Sequence, residues 1–410
     1  MDGSSRYVIL GASLAGGTAA ETLRSEGFDG EVILVGAEPE RPYERPPLSK
    51  EYLRCESPRE DVFLNTPAYY EKQGIELRLG QRARALHATE KLIELDSGYR
   101  IGYDKLLITT GASPRQLRVP GADLEGIFYL RTLPDSDALG EALKKGPHVL
   151  VVGAGFIGSE VAASARSTGC AVTMLEVAPV PLVRALGEQV GAIYADFHRE
   201  RGVNVRTGEM VTEFRGSDRL EAAVTSSGEV IPCDVAVIGV GVAPAVDFLQ
   251  GSGIEIDNGV LTDEMCRTNI PDIFAAGDVA SWWHPTWRER LRLEHYDNAL
   301  NQGVAAAKSM LGIGEPYAPI PYFWSDQYDL NLQYRGYASR WDEIAVRGNP
   351  AEHSFSAFYL LGGRLRACLS VNRFPDQLAA TQLISAASRV DARQLSDEGV
   401  ELEQLLQSQH

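Results

Sequence analysis

The stretch HVLVVGAGFIGSEVAASARSTG, His148–Gly169, carries the strongest indication of the fold. An apolar run is followed by a glycine-rich turn and a helical pattern, which is the order of elements at the start of a βαβ unit. A second stretch, YVILGASLAGGTAAETLRSEG at Tyr7–Gly27, repeats that order. Its glycines align with those of the first stretch at a constant spacing: Gly11, Gly16 and Gly27 with Gly153, Gly158 and Gly169. The repeat therefore predicts an α/β fold with two Rossmann-like units.

Length and composition limit the class of protein. The chain has 410 residues, a formal net charge of −17, 44% hydrophobic residues and 23% charged residues. This length suggests two or three domains, and the composition is typical of a well-packed globular protein rather than a disordered or fibrous one. The acidity disfavours nucleic acid and anionic membranes as partners, because both would approach against like charge.

The cysteines and the first residues bear on the cellular compartment. The five cysteines show no CxxC spacing, which argues against a disulfide framework or a zinc site: Cys55, Cys170, Cys233, Cys266 and Cys368. The first strand-like run starts at Tyr7 and leaves no room for a signal peptide, and no apolar run approaches the ~20 residues that span a bilayer. These features predict a protein of the reducing cytoplasm.

The segments around the repeats complete the predicted architecture. Residues 74–112 alternate as antiparallel strands before a last apolar strand at Leu106–Thr109. From Pro319 the sequence is rich in aromatic and β-branched residues, and a helical tail follows from Asp376. We predict that this last part is a smaller α+β domain.

The glycine turn of the second copy predicts a dinucleotide site. Gly153, Gly155 and Gly158 follow a strand at His148–Val152 and open a helix, and Glu176 lies at the end of the next strand. In that arrangement the glycines admit a pyrophosphate at the helix N-terminus, and the acid binds the adenosine ribose. The alternative is that the glycines serve only the close packing of the helix on the strand.

The first copy is less regular but gains a second signal. Ser13 replaces the middle glycine, Gly36 aligns with Glu176, and Glu38 is the nearest acid. In the run TNIPDIFAAGDVA, an apolar strand ends before Asp278, which places a carboxylate at the carboxyl edge of the sheet beside a following helix. The alternative for Asp278 is an ordinary helix N-cap.

Several runs together resemble the FAD-dependent, NADH-using ferredoxin reductases of aromatic-ring dioxygenase and haem monooxygenase systems. The runs that carry the resemblance cover the whole chain: GASLAGG, ERPYERPPLSK, LLITTGASPR, YLRTL, VVGAGFIGSE, TNIPDIFAAGDVA and PYFWSDQYD. RPPLSK together with GFIGSE is more specific than either glycine turn. The resemblance implies a glutathione-reductase-like fold with an FAD-binding domain at residues 1–112 and 246–318, an NADH-binding domain at 113–245, and a C-terminal α+β domain at 319–410 that covers the flavin.

The resemblance also implies the residues that bind each cofactor. For FAD it points to Ser13, Ala15, Gly16, Arg45, Lys50, Ala83, Arg131, Asp278 and Tyr296. Family members usually carry an acid at the position of Ala37, so we take Glu38 as the ribose partner here. For NADH it points to Gly153, Gly155, Gly158, Glu160, Glu176 and Gly241.

The resemblance assigns the catalytic role to Lys50 and Glu160. In relatives these residues meet beside flavin N5, where a cation favours the anionic reduced flavin and the glutamate fixes the direction of the lysine. Taken alone, each residue has a plainer interpretation, a surface lysine and a glutamate in the first turn of a helix.

Three further residues have weaker signals. His295 resembles a flavin-edge residue, although a capping or packed histidine fits equally, and Trp324 is predicted over the flavin, with a core tryptophan as the alternative. Cys55 is single and is interpreted as structural, unlike the paired or reactive cysteines of disulfide reductases and flavin peroxidases. No histidine spacing indicates a metal.

A local basic run predicts where a partner docks. Arg288, Arg290 and Arg292 alternate along Trp287–Arg292, which would put three positive charges on one strand face of an acidic protein. Such a face could steer a small acidic ferredoxin, while a solvated surface is the alternative.

The sequence thus predicts an NADH:ferredoxin oxidoreductase with FAD and NADH as cofactors and a 2Fe-2S ferredoxin as partner. A rubredoxin reductase or an NADH oxidase of the same architecture is an alternative. A non-catalytic flavin redox sensor resembling apoptosis-inducing factor is another, although the intact GFIGSE run and Glu176 favour turnover.

Overall fold

The computed structural model describes residues 5–407, which form two compact units. The first unit comprises residues 5–44, 59–113 and 242–319. The second comprises residues 45–58, 114–241 and 320–407. None of the helices in the described part of the chain is both long and apolar enough to cross a membrane.

The helices and strands are numbered along the chain. The helices are α1 Leu14–Ser25, α2 Pro67–Lys72, α3 Leu133–Leu143, α4 Phe156–Ser167, α5 Val183–Glu200, α6 Tyr296–Leu311, α7 Phe374–Ser385, α8 Ala392–Ser396 and α9 Gln404–Gln407. The strands are β1 Arg6–Leu10, β2 Glu31–Val35, β3 Ile75–Arg78, β4 Ala83–His87, β5 Leu92–Leu95, β6 Arg100–Gly102, β7 Lys105–Ile108, β8 Ala112–Pro114, β9 Ile127–Phe128, β10 His148–Val152, β11 Ala171–Glu176, β12 Asn204–Thr207, β13 Val211–Arg215, β14 Ala222–Thr225, β15 Val230–Pro232, β16 Val235–Ile238, β17 Val242–Pro244, β18 Val260–Thr262, β19 Ile273–Ala275, β20 Ala280–His284, β21 Glu289–Leu291, β22 Tyr322–Gln327, β23 Leu330–Gly336, β24 Glu343–Asn349, β25 Ser354–Leu361 and β26 Arg364–Val371.

The first unit is built on a five-stranded parallel sheet in the order β19-β7-β1-β2-β3. Its central strands are apolar and buried on both faces, as parallel sheets covered on two sides require. The predicted antiparallel arrangement of residues 74–112 is wrong for β3, which joins the parallel sheet beside β2. It is correct for β4, β5 and β6, which form a separate antiparallel sheet.

The second unit repeats the design with a parallel sheet in the order β12-β11-β10-β16-β9. An antiparallel sheet of β22-β23-β26-β25-β24 forms its C-terminal part. α7 begins at Phe374, two residues before the predicted start of the helical tail. The predicted fold class, two Rossmann-like parts with a C-terminal α+β part, is confirmed.

The segment 45–58 packs within the second unit. Leu53 is buried with Leu139 and Leu143 in the core that covers one face of β10 and β16. The Ser136 hydroxyl of α3 donates to the Leu48 carbonyl at 2.9 Å. This packing fixes the short turn that carries Lys50. The three-domain division at residues 112, 245 and 318 remains a prediction.

Helix α5 connects the second parallel sheet to the C-terminal sheet. Its buried residues Leu186, Tyr194 and Phe197 share one apolar core with Leu332 and Phe355 of that sheet. A kink at Gly187, where φ is +78°, interrupts the helix after its first turn. Phe323 of β22 packs against the same core, so α5 and β22 are held at fixed positions relative to each other.

Candidate functional site

The second unit places Glu176 against its glycine turn. The Ala154 N–H donates to Glu176 Oε2 at 2.7 Å, and the Ala178 N–H donates to Oε1 at 2.9 Å. Ala154 stands between Gly153 and Gly155, so the carboxylate at the end of β11 is held beside the turn that starts α4. This is the arrangement that a ribose-binding acid needs.

The three glycines of this turn differ in what an added Cβ atom would meet. Gly153 has a φ of +100°, and a Cβ on it would lie 2.4 Å from the Gly239 carbonyl oxygen. A Cβ on Gly158 would lie 2.1 Å from the Gly153 oxygen, so Gly158 is required by the close approach of α4 to the turn, and Gly153 by the neighbouring end of β16. A Cβ on Gly155 would meet no protein atom within 4 Å. The packing does not explain Gly155, and the open space there is compatible with the predicted close approach of a pyrophosphate.

Exposed apolar side chains lie at the same carboxyl edge of the sheet. Ile157 in the first turn of α4 is 50% exposed, and Val177, directly after β11, is 61% exposed. Val240 follows β16, and next to it Gly241, with a φ of +94°, accepts a hydrogen bond from the Arg115 N–H at 2.9 Å. Apolar surface at this edge fits the flat rings of a dinucleotide.

The first unit builds a comparable turn with Ser13 in the middle. Ser13 is the N-cap of α1, and its side chain makes no capping hydrogen bond. A Cβ on Gly16 would lie 2.0 Å from the Gly11 oxygen, which repeats the close packing of the second unit. Ala15 is in close contact with Gly277 and with Gly303 of α6. The turn is thus enclosed by the segment that carries Asp278.

An acid could not take the place of Gly36, because a Cβ there would lie 2.7 Å from the Ala12 Cβ. Ala37 is exposed, and Glu38 is the first acid after β2. The Tyr43 hydroxyl donates to Glu38 Oε2. Glu38 is therefore held in one place after the strand, which is compatible with the predicted ribose contact and does not test it.

Asp278 follows β19 in a short turn whose N-cap is Ala276, so Asp278 is not a helix N-cap. The chain continues into β20 and not into the helix that we predicted. Burial lowers the pKa of His295 to about 4, and the negative charge of Asp278 partly offsets this lowering. The two residues therefore lie close together. His295 is the N-cap residue of α6 but makes no side-chain capping bond.

A buried amide at the same place has unused capacity. Gln302 is fully buried, and its Oε1 accepts the Gly277 N–H at 2.8 Å. Its Nε2 donates to no atom of the described residues. A cofactor carrying acceptor oxygens would satisfy this donor.

Two other residues predicted to bind FAD lie in the first unit. Tyr296 starts α6, and its hydroxyl donates to Glu44 Oε1 at 2.6 Å. Ala83 lies at the start of β4.

The second unit brings Lys50 and Glu160 into contact. Lys50 Nζ lies 2.7 Å from Glu160 Oε2, with 9% and 4% of the two side chains exposed. Lys50 also donates to the Pro46 carbonyl at 3.2 Å. Both plainer interpretations fail, because the lysine is not on the surface and the glutamate is the fifth residue of α4, inside the protein.

Two serines that the sequence analysis did not single out complete the contacts of Glu160. The Ser49 hydroxyl donates to Oε2 at 2.5 Å, and the Ser325 hydroxyl donates to Oε1 at 2.6 Å. Both stand directly beside predicted residues, Lys50 and Trp324. Their adjacency in RPPLSK and YFWSDQ was the available signal.

The second unit also contains three further predicted residues, Arg45, Arg131 and Trp324. The Arg45 guanidinium donates to the Arg131 carbonyl, just before the Thr132 capping box of α3. Trp324 is half-buried and stacks on Tyr322 with ring centroids 6.1 Å apart, so it is not a core tryptophan. Of the residues predicted to bind FAD, Arg45, Lys50, Arg131 and Trp324 belong to the second unit, and the others belong to the first.

The prediction of three arginines on one strand face is wrong, because only Arg290 lies in β21 and Arg288 precedes the strand with a φ of +54°. Arg288 and Arg290 are exposed, but the Arg292 side chain is only 10% exposed and pairs with Glu294 at 2.6 Å. Arg292 also donates to the Asp278 carbonyl at 3.1 Å. The strand β21 is only three residues long, and Arg292 lies beyond its end, so the alternation does not continue.

All five cysteines are free, and only Cys55 is exposed. Burial raises the pKa of the Cys233 thiol to about 12, and it also raises the pKa of the Cys266 and Cys368 thiols. Within residues 5–407 no group of three or more His, Cys, Asp or Glu side chains is arranged to hold a metal ion.

Comparisons with known proteins cover the whole of these sites. A family model described as pyridine nucleotide-disulphide oxidoreductase matches residues 5–303, and one described as reductase C-terminal matches residues 322–406. The anthranilate 1,2-dioxygenase system ferredoxin–NAD(+) reductase component of Burkholderia cepacia is 39% identical over 98% of this chain and 99% of that protein. Rhodocoxin reductase of Rhodococcus erythropolis is 38% identical over 96% of this chain and 93% of that protein.

A solved structure extends the similarity to three dimensions. The reductase in the covalent putidaredoxin reductase–putidaredoxin complex is similar with a TM-score of 0.95 and 34% identity, over 98% of both chains. The similarity therefore includes both glycine turns, the Lys50 segment and the C-terminal sheet.

Proposed function

This chain belongs to the pyridine nucleotide-disulphide oxidoreductase family, with ferredoxin–NAD(+) reductases among its relatives, and from that premise we propose that it is an FAD-dependent NADH:ferredoxin oxidoreductase. The acceptor is a 2Fe-2S ferredoxin that serves an aromatic-ring dioxygenase or a haem monooxygenase. We place the enzyme in the cytoplasm, which its free cysteines support.

The spacing of the cysteines is the observation that carries this function within the family. A disulfide reductase passes its electrons to a closely spaced cysteine pair, whereas the five cysteines of this chain are at least 33 residues apart in sequence and four of them are buried. Electrons that enter from NADH therefore have no CxxC or CxxxxC pair to receive them. They must leave to an external acceptor, as the names of the relatives indicate for those proteins.

The two cofactors fit the residues present. FAD would be held by Ser13, Ala15, Gly16, Glu38, Arg45, Lys50, Ala83, Arg131, Asp278, His295, Tyr296 and Trp324. NADH would be held by Gly153, Gly155, Gly158, Glu160, Glu176 and Gly241. FAD supplies the chemistry that accepts a hydride from NADH and releases electrons one at a time. The open space at Gly155 and the unused Gln302 amide support these assignments.

Lys50 and Glu160 are the residues to which we assign the hydride step. Lys50 presents a fixed positive charge in a site where water is largely excluded, and such a charge stabilises an anion that develops beside it. Glu160 binds the ammonium group and prevents it from turning away. Ser49 and Ser325 hold both oxygens of the carboxylate, so the pair cannot rotate freely.

Reduction of cytochrome c through a ferredoxin tests this function. The FAD-loaded chain is mixed with NADH, cytochrome c and a purified bacterial 2Fe-2S ferredoxin of the oxygenase type. We expect cytochrome c reduction that requires the ferredoxin and consumes little oxygen. NADH oxidation at the same rate without ferredoxin, with oxygen consumed in proportion, would instead identify an NADH oxidase.

A further inference from the structure

A line of buried polar side chains leads away from Glu160 on the side opposite Lys50. Ser325 Oγ contacts Glu160 Oε1 at 2.6 Å, and Gln327 Nε2 contacts Ser325 Oγ at 3.0 Å. Gln327 Oε1 lies 3.0 Å from His198 Nε2, and His198 Nδ1 lies 3.2 Å from the Tyr328 hydroxyl. Ser325, Gln327 and His198 are all buried. No step of the proposed function uses Gln327, His198 or Tyr328.

The directions of these hydrogen bonds follow from chemistry. A carboxylate only accepts, so the single proton of Ser325 is donated to Glu160, and the serine oxygen must accept from the Gln327 amide nitrogen. The opposite amide orientation would set an oxygen against the serine oxygen with no proton between them. The amide oxygen therefore faces His198, whose Nε2 must carry a proton.

The histidine is held in one tautomer. Burial lowers the pKa of His198 to about 4, so the ring is neutral at pH 7 and carries one proton. With that proton on Nε2, Nδ1 accepts from the Tyr328 hydroxyl. Every donor in the chain of bonds thus points toward Glu160, and bonds in such a chain strengthen one another.

We propose that His198 and Gln327 are positioning residues that act through Ser325 to hold the Glu160 carboxylate, and with it Lys50, in one orientation. The proposal rests on the role in the hydride step that is proposed above for Lys50 and Glu160. An amide does not relay protons readily, so the chain of bonds orients groups and does not conduct protons. Helix α5 and strand β22 supply it, and their shared core keeps the donors aligned.

Two variants remove the bonds with little change in volume. Gln327→Met keeps the length of the side chain, and His198→Phe keeps the ring. His198→Gln is the conservative variant, because its amide nitrogen can donate from about the position of Nε2. The matched control is Ser356→Ala, which removes another buried bond of the C-terminal sheet, the 2.8 Å bond to Asp376 Oδ2, away from Glu160.

The first readout does not depend on turnover. Trace acetylation of the FAD-loaded protein with acetic anhydride, read by mass spectrometry, measures how accessible the Lys50 amine is relative to the exposed Lys144. We expect Lys50 labelling to rise about fivefold in Gln327→Met and His198→Phe, the factor for a lost hydrogen bond of typical strength. His198→Gln and Ser356→Ala should remain near the parent protein.

The second readout is the limiting rate of flavin reduction by saturating NADH in stopped flow. We expect it to fall by a similar factor in Gln327→Met, while the NADH dissociation constant stays nearly unchanged. Unchanged Lys50 labelling in Gln327→Met overturns the proposal, whatever happens to the rate. If Lys50 labelling increases in Gln327→Met but Lys50→Ala reduces flavin at the normal rate, the positioning role is supported and the Lys50–Glu160 pair is removed from the hydride step. The failure of this proposal and the failure of the proposed hydride step are therefore distinguishable.

Discussion

Lys50 and Glu160 show how a buried charge is tolerated at the scale of single residues. Two ions out of water lose hydration, and their attraction offsets this loss only when the geometry is good and the remaining lone pairs are satisfied. Here the two side chains are almost completely buried, and two serine hydroxyls occupy the carboxylate oxygens. Removal of one partner leaves the other charge buried and uncompensated.

The first prediction follows from this mutual dependence. Lys50→Ala should lower the limiting rate of flavin reduction by about 100-fold, the range for loss of one preorganised electrostatic group. Glu160→Ala should slow the same step, and the double variant should lose less than the product of the two effects. Stopped-flow absorbance measures all three, with the exposed Lys144→Ala as the control. Fully independent losses would show that the residues do not act as a pair.

The second prediction concerns Glu176 and the choice of nucleotide. Its charge would face the extra phosphate of NADPH, and like charges at a few ångströms cost on the order of 2 to 4 kcal/mol at an intermediate dielectric. We expect a strong preference for NADH in kcat/KM. Glu176→Gln should narrow the preference mainly through NADPH, because the amide oxygen can still accept the Ala154 N–H. Equal use of both nucleotides by the parent protein would contradict the assignment.

At the scale of elements, the glycine turns combine two demands. Gly153 and Gly158 are required by the strand and the helix themselves, since a Cβ at either would meet backbone oxygens within 2.4 Å. Gly155 has a φ of −76°, which any residue adopts, and open space around it. One turn therefore contains two glycines that folding requires and a third, Gly155, that folding does not require and to which we assign a role in nucleotide binding.

The third prediction separates these demands with a matched pair of variants. Gly158→Ala should destabilise the protein by about 1 to 3 kcal/mol or more, as overpacking does, and should lower the midpoint of thermal unfolding. Gly155→Ala should leave the free energy of unfolding within about 0.5 kcal/mol of the parent. It should still weaken NADH binding in a titration. Unimpaired NADH binding by Gly155→Ala would place the nucleotide elsewhere.

At the scale of the whole molecule, the net charge of −17 repels an acidic partner, so exposed basic residues are the places where such a partner would be attracted. We propose docking at the exposed Arg288 and Arg290, whereas Arg292 pairs with Glu294 and binds the Asp278 carbonyl. Arg290 is anchored through one nitrogen to the Thr262 and Ser281 carbonyls, which fixes its stem.

The fourth prediction tests this docking site. Reversal of both Arg288 and Arg290 to Glu should reduce the rate of ferredoxin reduction, mainly through slower association, and leave ferricyanide reduction nearly intact. The rate in the parent protein should also fall with salt, because the Debye length is only about 8 Å at 0.15 M. Indifference of ferredoxin reduction to salt and to both reversals would move docking to the Trp324 side of the C-terminal domain.

Features that depend on short stretches of chain could be predicted from the sequence. The two βαβ units, their glycine turns and the position of Glu176 follow from periodicity and spacing within about 30 residues. The run of residues around Lys50 was also recognisable, because its motif is local. The confirmed fold class rests on these local signals.

Contacts between residues far apart in the sequence arise only when the whole chain packs. Alternation could not show that β3 joins the parallel sheet, or that β21 ends before Arg292 and leaves that side chain to pair inward. The contacts of Glu160 come from Ser49 and Ser325, 111 and 165 residues away, and His198 reaches Gln327 across 129 residues. Such pairs form because buried polar groups must find partners once the chain has packed, and packing is a property of the whole core that no single stretch of sequence contains.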